Sequence, residues 1–300
     1  MLLGLMILKI FDLHCDTLSK AFDDNCDLNG NSLAVNYGDI AAFETFIESF
    51  AVFLNPNIAD KNKRYNKVLS YGKQCLYRSG FQIVTTKEQL DDGGQKALLS
   101  VEGFVPFDIE RLYYDGIRTV SLCWNYDNIF AGGALGDGRL TKLGKSAVLS
   151  LNQHRMVTDL SHLNRQSFFD VIDIADFAVA THTGIDKLVP NKRNLTDRQL
   201  TMIKEKGGLV GLTVYPEFIG QNVFEGFYQA VVHCLALGLQ DNICIGTDFD
   251  GAKMISRLSK SKQLSALYGF LLKRKLTKPL VDKIFFENSF KFYHNVLTKR

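Results

Sequence analysis

Short apolar runs alternate along this chain with longer stretches in which apolar residues recur at helical spacing. The runs begin near Ile7, Phe46, Leu98, Ile117, Met156, Ala178, Leu209 and Asn242, and their apolar, often β-branched character predicts buried strands. Lys63 to Ser79, Leu143 to Gln153, Gln166 to Ala175 and Phe224 to Leu237 read as helices between them. Leu264 to Lys273 and Lys278 to Leu297 continue the helical pattern beyond the last strand. Two further helices announce their starts with capping boxes, Thr86-Lys87-Glu88-Gln89 and Thr196-Asp197-Arg198-Gln199, and stop at Gly93-Gly94 and Gly207-Gly208. Asp23 to Asn31, Asn55-Pro56-Asn57 and the glycine-rich stretch Gly132 to Gly138 read as loops. Eight strands alternating with helices predict a (β/α)8 barrel over residues 1–300, with no linker, low-complexity tract or internal repeat beyond the alternation.

A chain of 300 residues has room for such a barrel as one unit. Hydrophobic residues at 46%, charged residues at 22% and only 5 prolines describe a soluble globular chain with no disordered half. A net charge of +3, with no long basic run, argues against a nucleic-acid binder. Met1 to Lys9 is apolar but lacks a basic leading region and a small-residue cleavage site, and it is too short to cross a bilayer. It therefore reads as the start of the first strand, and no other segment reaches membrane length. The 6 cysteines (Cys15, Cys26, Cys75, Cys123, Cys234 and Cys244) show no C-x-x-C and no regular framework. They read as reduced thiols of a cytoplasmic protein, most of them small core residues.

What the strands end in changes the picture. Ile10-Phe11-Asp12-Leu13-His14-Cys15-Asp16 carries a histidine and a carboxylate two residues apart, and residues i and i+2 of a strand share a face. The run through Leu98 ends in Glu102, those from Met156 and Phe177 end in His162 and His182, and the run from Asn242 ends in Asp248. In a barrel all C-terminal strand ends open on one face, so these residues converge. Taken singly, each is an ordinary strand-end residue; taken together, they read as metal ligands. Two histidine-and-carboxylate sets with one carboxylate to bridge them suit two zinc ions, whereas magnesium or calcium would want mostly oxygen ligands. Such a pair makes hydroxide available near neutral pH and polarises a carbonyl or phosphoryl oxygen. The predicted chemistry is hydrolysis, with Asp248 as general acid/base. No G-x-S-x-G motif and no obvious cysteine–histidine pairing suggest a covalent route.

The segments Asp12-Leu13-His14-Cys15-Asp16, Ser100-Val101-Glu102-Gly103, Asp159-Leu160-Ser161-His162, Thr181-His182-Thr183, Arg193-Asn194-Leu195-Thr196-Asp197 and Gly246-Thr247-Asp248-Phe249-Asp250-Gly251 resemble, in order, the motifs of the membrane (renal) dipeptidase family of zinc peptidases. The resemblance runs from the first strand into the C-terminal helix, where Glu287-Asn288 resembles that family's late Gly-Asn turn. It implies a binuclear zinc site, with His14, Asp16 and bridging Glu102 on the first ion and Glu102, His162 and His182 on the second. It further implies that Asp248 shuttles the proton, that Arg193 clamps the substrate's terminal carboxylate and that Tyr215 stands near the substrate. Free dipeptides are the implied substrates, with tolerance for a D-residue on the C-terminal side and a metal-bridging hydroxide as the nucleophile. A homodimer is the implied assembly.

The chain also departs from the family. Where members with a mammalian-like pocket carry a histidine that helps bind the scissile carbonyl, this sequence has Trp124, followed by Asn125, which leaves that role to the zinc ions or Asn125. The late turn lacks its glycine (Phe286-Glu287-Asn288), and no C-terminal anchor signal follows, as in a soluble bacterial-type enzyme. Of the remaining histidines, His154 and His294 read as solvent-facing and His233 as a satisfied packing residue. Asp12, Asp159 and Asp250 are candidates to orient the ligating imidazoles. Two other readings stay open: a lactone, phosphoester or amide hydrolase on the same barrel and metals, or a metal-binding barrel without turnover.

Overall fold

The computed structural model describes residues 8–29, 33–104 and 108–298. Its strands are β1 (Lys9–Cys15), β2 (Thr45–Phe53), β3 (Gln82–Ile83), β4 (Gly94–Glu102), β5 (Ile117–Ser121), β6 (Val157–Asp159), β7 (Ala178–Thr183), β8 (Leu209–Leu212) and β9 (Ile243–Ile245). All pair in parallel in the order β2-β1-β9-β8-β7-β6-β5-β4, and β2 also pairs with β4 along its whole length, from Thr45↔Gly94 to Phe53↔Glu102. That last ladder closes the ring, so the predicted (β/α)8 barrel is the observed architecture. The two-residue β3 stands outside the ring and covers Lys96 and Ala97 of β4, ahead of the point at Leu99 where β5 takes over as neighbour. It supplies the ladder that the shorter β5 leaves open.

The elements follow the hydrophobic pattern closely, with instructive differences. Met1 to Ile7, the beginning of the first predicted run, and Asn31, the end of the first predicted loop, lie outside the described residues. Thr17–Asp23, between the first strand and that loop, forms a helix that the pattern did not single out. Both capping boxes are present, with Thr86 and Thr196 accepting from the backbone of Gln89 and Gln199, whose side chains reach back. The strand expected through His162 stops at Asp159, and the one expected through Tyr215 stops at Leu212. The late turn at Glu287-Asn288 is not a turn. Helix runs through Lys278–Asp282, a widened π-helical turn at Lys283–Glu287 and Asn288–Val296. Asn288 instead uses its amide to donate to Gln240 O and Ile243 O at 3.1 and 2.8 Å, tying the helix to the start of β9.

Alternation along the strands sorts the core into two parts. Ile10, Phe46, Phe50, Leu99, Val210 and Ile245 face the surrounding helices in the larger cluster. Phe11, Leu13, Ile47, Leu98, Val157, Val179, Leu209 and Cys244 form the second, which fills the barrel interior with Tyr293, Val296 and Leu297 from the C-terminal helix. Tyr293 stacks on Phe11 with ring centroids 5.4 Å apart and shares a 2.8 Å hydrogen bond with Thr119 Oγ1. The helix therefore plugs the N-terminal end of the barrel and leaves only the C-terminal end open for chemistry.

Candidate metal centre

Two ligand histidines reach the barrel mouth because their strands break register. Between Asp12 and Cys15, β1 advances three residues against two on β2 (Asp12↔Glu48, Cys15↔Phe50). Between Ala180 and Thr183, β7 likewise advances three against two on β8. A bulge lets adjacent residues turn toward the same side, so His14 follows the interior residue Leu13 into the site. The convergence of His14 with Asp16 was expected from simple alternation. It is achieved instead by a bulge and by a strand that ends at Cys15, with Asp16 beyond it. His162 and Asp248 also lie past their strands, in left-handed backbone conformations with φ of 68° and 64°. Such φ values are unusual outside glycine and asparagine, and here they aim both side chains inward.

All the proposed ligands come together. His14 Nε2 lies 3.5 Å from Asp16 Oδ2, 3.4 Å from Glu102 Oε2 and 3.9 Å from Asp248 Oδ1. The other oxygen of Glu102 is 2.5 Å from His162 Nε2, which is 2.8 Å from His182 Nε2. Glu102 thus turns one oxygen to each histidine set, as a bridging carboxylate must. The two sets are contiguous, since the His14 and His182 rings are 4.0 Å apart between centroids. Glu102 at this strand end is buried, not the surface residue that an isolated strand-end carboxylate would be.

The partners of the imidazoles decide which nitrogen is bare. His162 Nδ1 meets Asn125 Oδ1 at 2.8 Å, and because that oxygen can only accept, Nδ1 carries the proton. His182 Nδ1 lies 2.9 Å from Thr181 Oγ1, whose own hydrogen goes to Asp159 Oδ2 at 2.7 Å, so this Nδ1 is again the donor. Two Nε2 lone pairs therefore face each other at 2.8 Å. Burial, reinforced by Arg193, pushes the pKa of His162 down to about 4, and burial together with His14 and His162 holds His182 well below its usual range. Neutral imidazoles with converging lone pairs fit a cation and little else.

On the other side, His14 Nε2 and Asp16 Oδ1 are buried without hydrogen-bond partners among the described residues. Burial lowers the pKa of His14, but Asp16 and Glu102 outweigh it and raise it well above its usual value. A bound cation would serve the same carboxylates as that proton. Glu102, despite its burial, is held well below the carboxylate range by His162 and His14. Asp248 is pushed up to about 8 by burial, opposed by His14 and supported by Asp16 and Glu102. A Cβ on Gly251 would stand 2.2 Å from Asp16 Oδ2 and 2.5 Å from Asp248 Oδ1, so only glycine lets the loop close on these two carboxylates.

Above the cluster opens a cleft of about 570 Å³ whose lining includes Trp124, Asn125, Arg193, Tyr215 and Asp248. Arg193 is buried, packs over the Phe218 ring at 5.5 Å, and leaves Nη2 without a partner among the described residues. A buried guanidinium nitrogen with nothing to donate to is suited to an anionic ligand. Asn125, expected as a substrate contact, spends its carbonyl oxygen on His162. Asp159 orients His182 through Thr181, whereas Asp12 accepts from the backbone of His14 and Thr247, and Asp250 from Thr17 and Ala34. These two secure chain segments and make no contact with an imidazole ring. His233 pairs with Asp197 at 2.6 Å as a satisfied residue. His154 and His294 are half-buried, on Ser150 O and Asp91, and not simply solvent-facing. Sequence reasoning missed the roles of Thr181, Gly251 and Phe218. The first two lie inside the motifs already quoted; nothing in the sequence marked Phe218.

A histidine–carboxylate centre at the C-terminal end of a (β/α)8 barrel defines a class of metal-dependent hydrolases. Comparison with known proteins narrows the class. The profile of the membrane dipeptidase family, peptidase family M19, matches residues 5–299. An uncharacterized dipeptidase of Schizosaccharomyces pombe is 27% identical over 199 residues, 59% of this chain and 48% of that protein, so the chain spans about half the length of this relative. The crystal structure of dipeptidase AC, a metallopeptidase of family M19, superposes with a TM-score of 0.88 at 22% identity, covering 97% of this chain and 99% of that one. A metallopeptidase from Rhodobacter sphaeroides, solved with a phosphinate mimic of the dipeptide L-Ala-D-Ala, gives 0.85 at 23% identity over 96% and 99%. The chain belongs to the membrane dipeptidase family and is a metallo-dipeptidase by family. Among the described residues, no helix is long and apolar enough to cross a membrane.

Proposed function

We propose that the chain is one catalytic barrel, a binuclear zinc dipeptidase that hydrolyses the peptide bond of free dipeptides. The observation that carries this reading is the partnerless Nη2 of Arg193 in the same cleft as the ligand cluster. A free dipeptide differs from a longer peptide in offering its terminal carboxylate next to the scissile bond, and an arginine lining the same cleft as the ligand cluster suits that proximity. His14, Asp16 and Glu102 would hold one ion, and Glu102, His162 and His182 the other. When bound, the ions supply an acidic water and polarise the carbonyl oxygen.

The chain's own residues do the rest. Arg193 receives the carboxylate, with Phe218 fixing the plane of its guanidinium. Asp248, whose Oδ1 lies 3.9 Å from His14 Nε2, takes a proton from the attacking water and returns it to the departing amine. Asn125 and Thr181 hold His162 and His182 in the tautomers that present Nε2. Trp124, whose ring centroid is 6.0 Å from that of His162, stands where members with a mammalian-like pocket carry a carbonyl-binding histidine, which leaves carbonyl polarisation to the ions. The Rhodobacter sphaeroides protein's phosphinate ligand supports tolerance of a D-residue on the C-terminal side. The free cysteines support a cytoplasmic location, and the family resemblance extends the reading to a homodimer, which sedimentation of the zinc-loaded protein tests.

Arg193→Ala separates this reading from a lactonase or phosphoesterase on the same metals. It should lower kcat/KM for dipeptides by about 100-fold or more while sparing any neutral ester activity. Undiminished dipeptide cleavage in that variant would withdraw the clamp.

A further inference from the structure

The cleft has a second wall that the ligand cluster and the clamp leave unused. Phe53, at the end of β2, and Trp124, after β5, stand 5.5 Å apart between ring centroids, and Tyr126 continues the row 5.9 Å from Trp124. Phe53 and Trp124 are only partly buried and line the metal cleft, while Tyr126 is exposed. The wall is built, not incidental. Gly103 directly follows the ligand Glu102 with φ of 76°, and a Cβ there would stand 2.7 Å from Leu54 O and 3.6 Å from Trp124 Cβ. Only glycine lets the ends of β2 and β4 and the Trp124 side chain meet this closely. Trp124 also borders a second hollow, of about 300 Å³, whose lining mixes Leu54, Phe104 and Phe130 with Lys61 and Asp127.

Ring order fixes which part of a substrate meets this wall. Around the barrel, β2 lies four strands from β7 in either direction, so Phe53 stands diametrically opposite the β7 loop that carries Arg193. With the terminal carboxylate at Arg193 and the peptide bond over Glu102 and His162, the first residue of the dipeptide lies on the β2–β5 side. We propose that Phe53 and Trp124 seat the side chain of that first, amino-terminal residue and select aromatic and large apolar side chains there. Two rings at this separation offer a flat or bulky apolar side chain a face to cover, and offer a methyl group little. The proposal rests on the dipeptidase reading and names its substrate class.

The test is kcat/KM of the zinc-loaded full-length protein for Phe-Ala, Ala-Ala and Ala-Phe, in wild type, Trp124→Leu and Phe53→Ala, with zinc content measured alongside. Wild type should favour Phe-Ala over Ala-Ala by about tenfold or more. In both variants that ratio should fall to within about threefold of unity, mainly through KM, while the ratio of Ala-Phe to Ala-Ala does not move. Trp124 is the only tryptophan, so its fluorescence gives an independent readout. In the Asp248→Asn variant, saturating Phe-Ala should shift its emission more than saturating Ala-Ala does. A wild-type ratio near one, or variants that lower all three dipeptides by the same factor, would overturn the seat while leaving the dipeptidase reading intact. No turnover of any of the three by zinc-loaded wild type would withdraw that reading, and the seat with it.

Discussion

At its N-terminal end the barrel is closed by Tyr293, whose one polar atom is satisfied by Thr119 and whose ring lies on Phe11. At its C-terminal end the strands and the loops that follow them deliver His14 Nε2, Asp16 Oδ1 and Arg193 Nη2, buried and without hydrogen-bond partners among the described residues. Tyr293 and these three residues are all buried, so burial does not distinguish them. The difference lies in polar completion. Tyr293 finds its hydrogen-bond partner within the chain, while His14, Asp16 and Arg193, grouped around one cleft, are left short of one.

The comparison breaks most visibly at Glu102. Glu102→Ala should release both metals and lower kcat/KM by at least about 10³-fold, read as metal per chain by mass spectrometry beside the activity. Retention of one metal would show that Glu102 does not bridge. Tyr293→Ala should act in the opposite sense. It should cost about 3–5 kcal/mol in urea unfolding while the folded fraction keeps its full metal content. Loss of metal at unchanged stability would show that the two ends are not separable.

Smaller effects sharpen the contrast. Asn125→Leu and Thr181→Val should each weaken metal affinity by about 10–100-fold in chelator competition, because each frees one imidazole to turn. Asn125→Asp, which keeps the acceptor oxygen, should recover most of that loss.

Glu48 departs from this contrast, being short of a partner away from the cleft. It is fully buried on β2, with neither oxygen partnered among the described residues, and burial, reinforced by Asp12, raises its pKa well above the usual range. The folded protein therefore keeps a proton there that the unfolded chain gives up above its usual value near 4.5. The contribution is full below that pH and is lost as pH rises toward the folded value. Glu48→Gln should flatten this decline in thermal stability as pH rises above about 4.5. An unchanged pH profile would show Glu48 to be ionised in the fold.

The strands and the candidate ligands were legible because barrel strands are short apolar runs and because polar residues at the ends of such runs are conspicuous. Glu102 and Asp248 stood out in this way, and so did both capping boxes, where local spacing alone sets the hydrogen bonds. Less legible was how His14 and His182 reach the site, since a bulge is a mismatch between two strands and neither strand encodes it alone. The helix at Thr17–Asp23 and the continuous helix through Asn288 were misjudged for a related reason. Their polar residues read as loop or turn until the partners that satisfy them, Asp250 for Thr17 and the start of β9 for Asn288, are in place.

From sequence alone follow the barrel, the convergence of six histidine and carboxylate residues at one end, and the membrane dipeptidase family. These rest on periodicity and residue type, which each segment carries within itself. Only the tertiary structure decides that Asn125 orients His162, that Thr181 relays Asp159 to His182, that Gly251 must lack a side chain and that Phe53 faces Arg193 across the ring. Each of these is a relation between atoms brought together by closing the barrel, a long-range geometry that no local pattern of side chains contains.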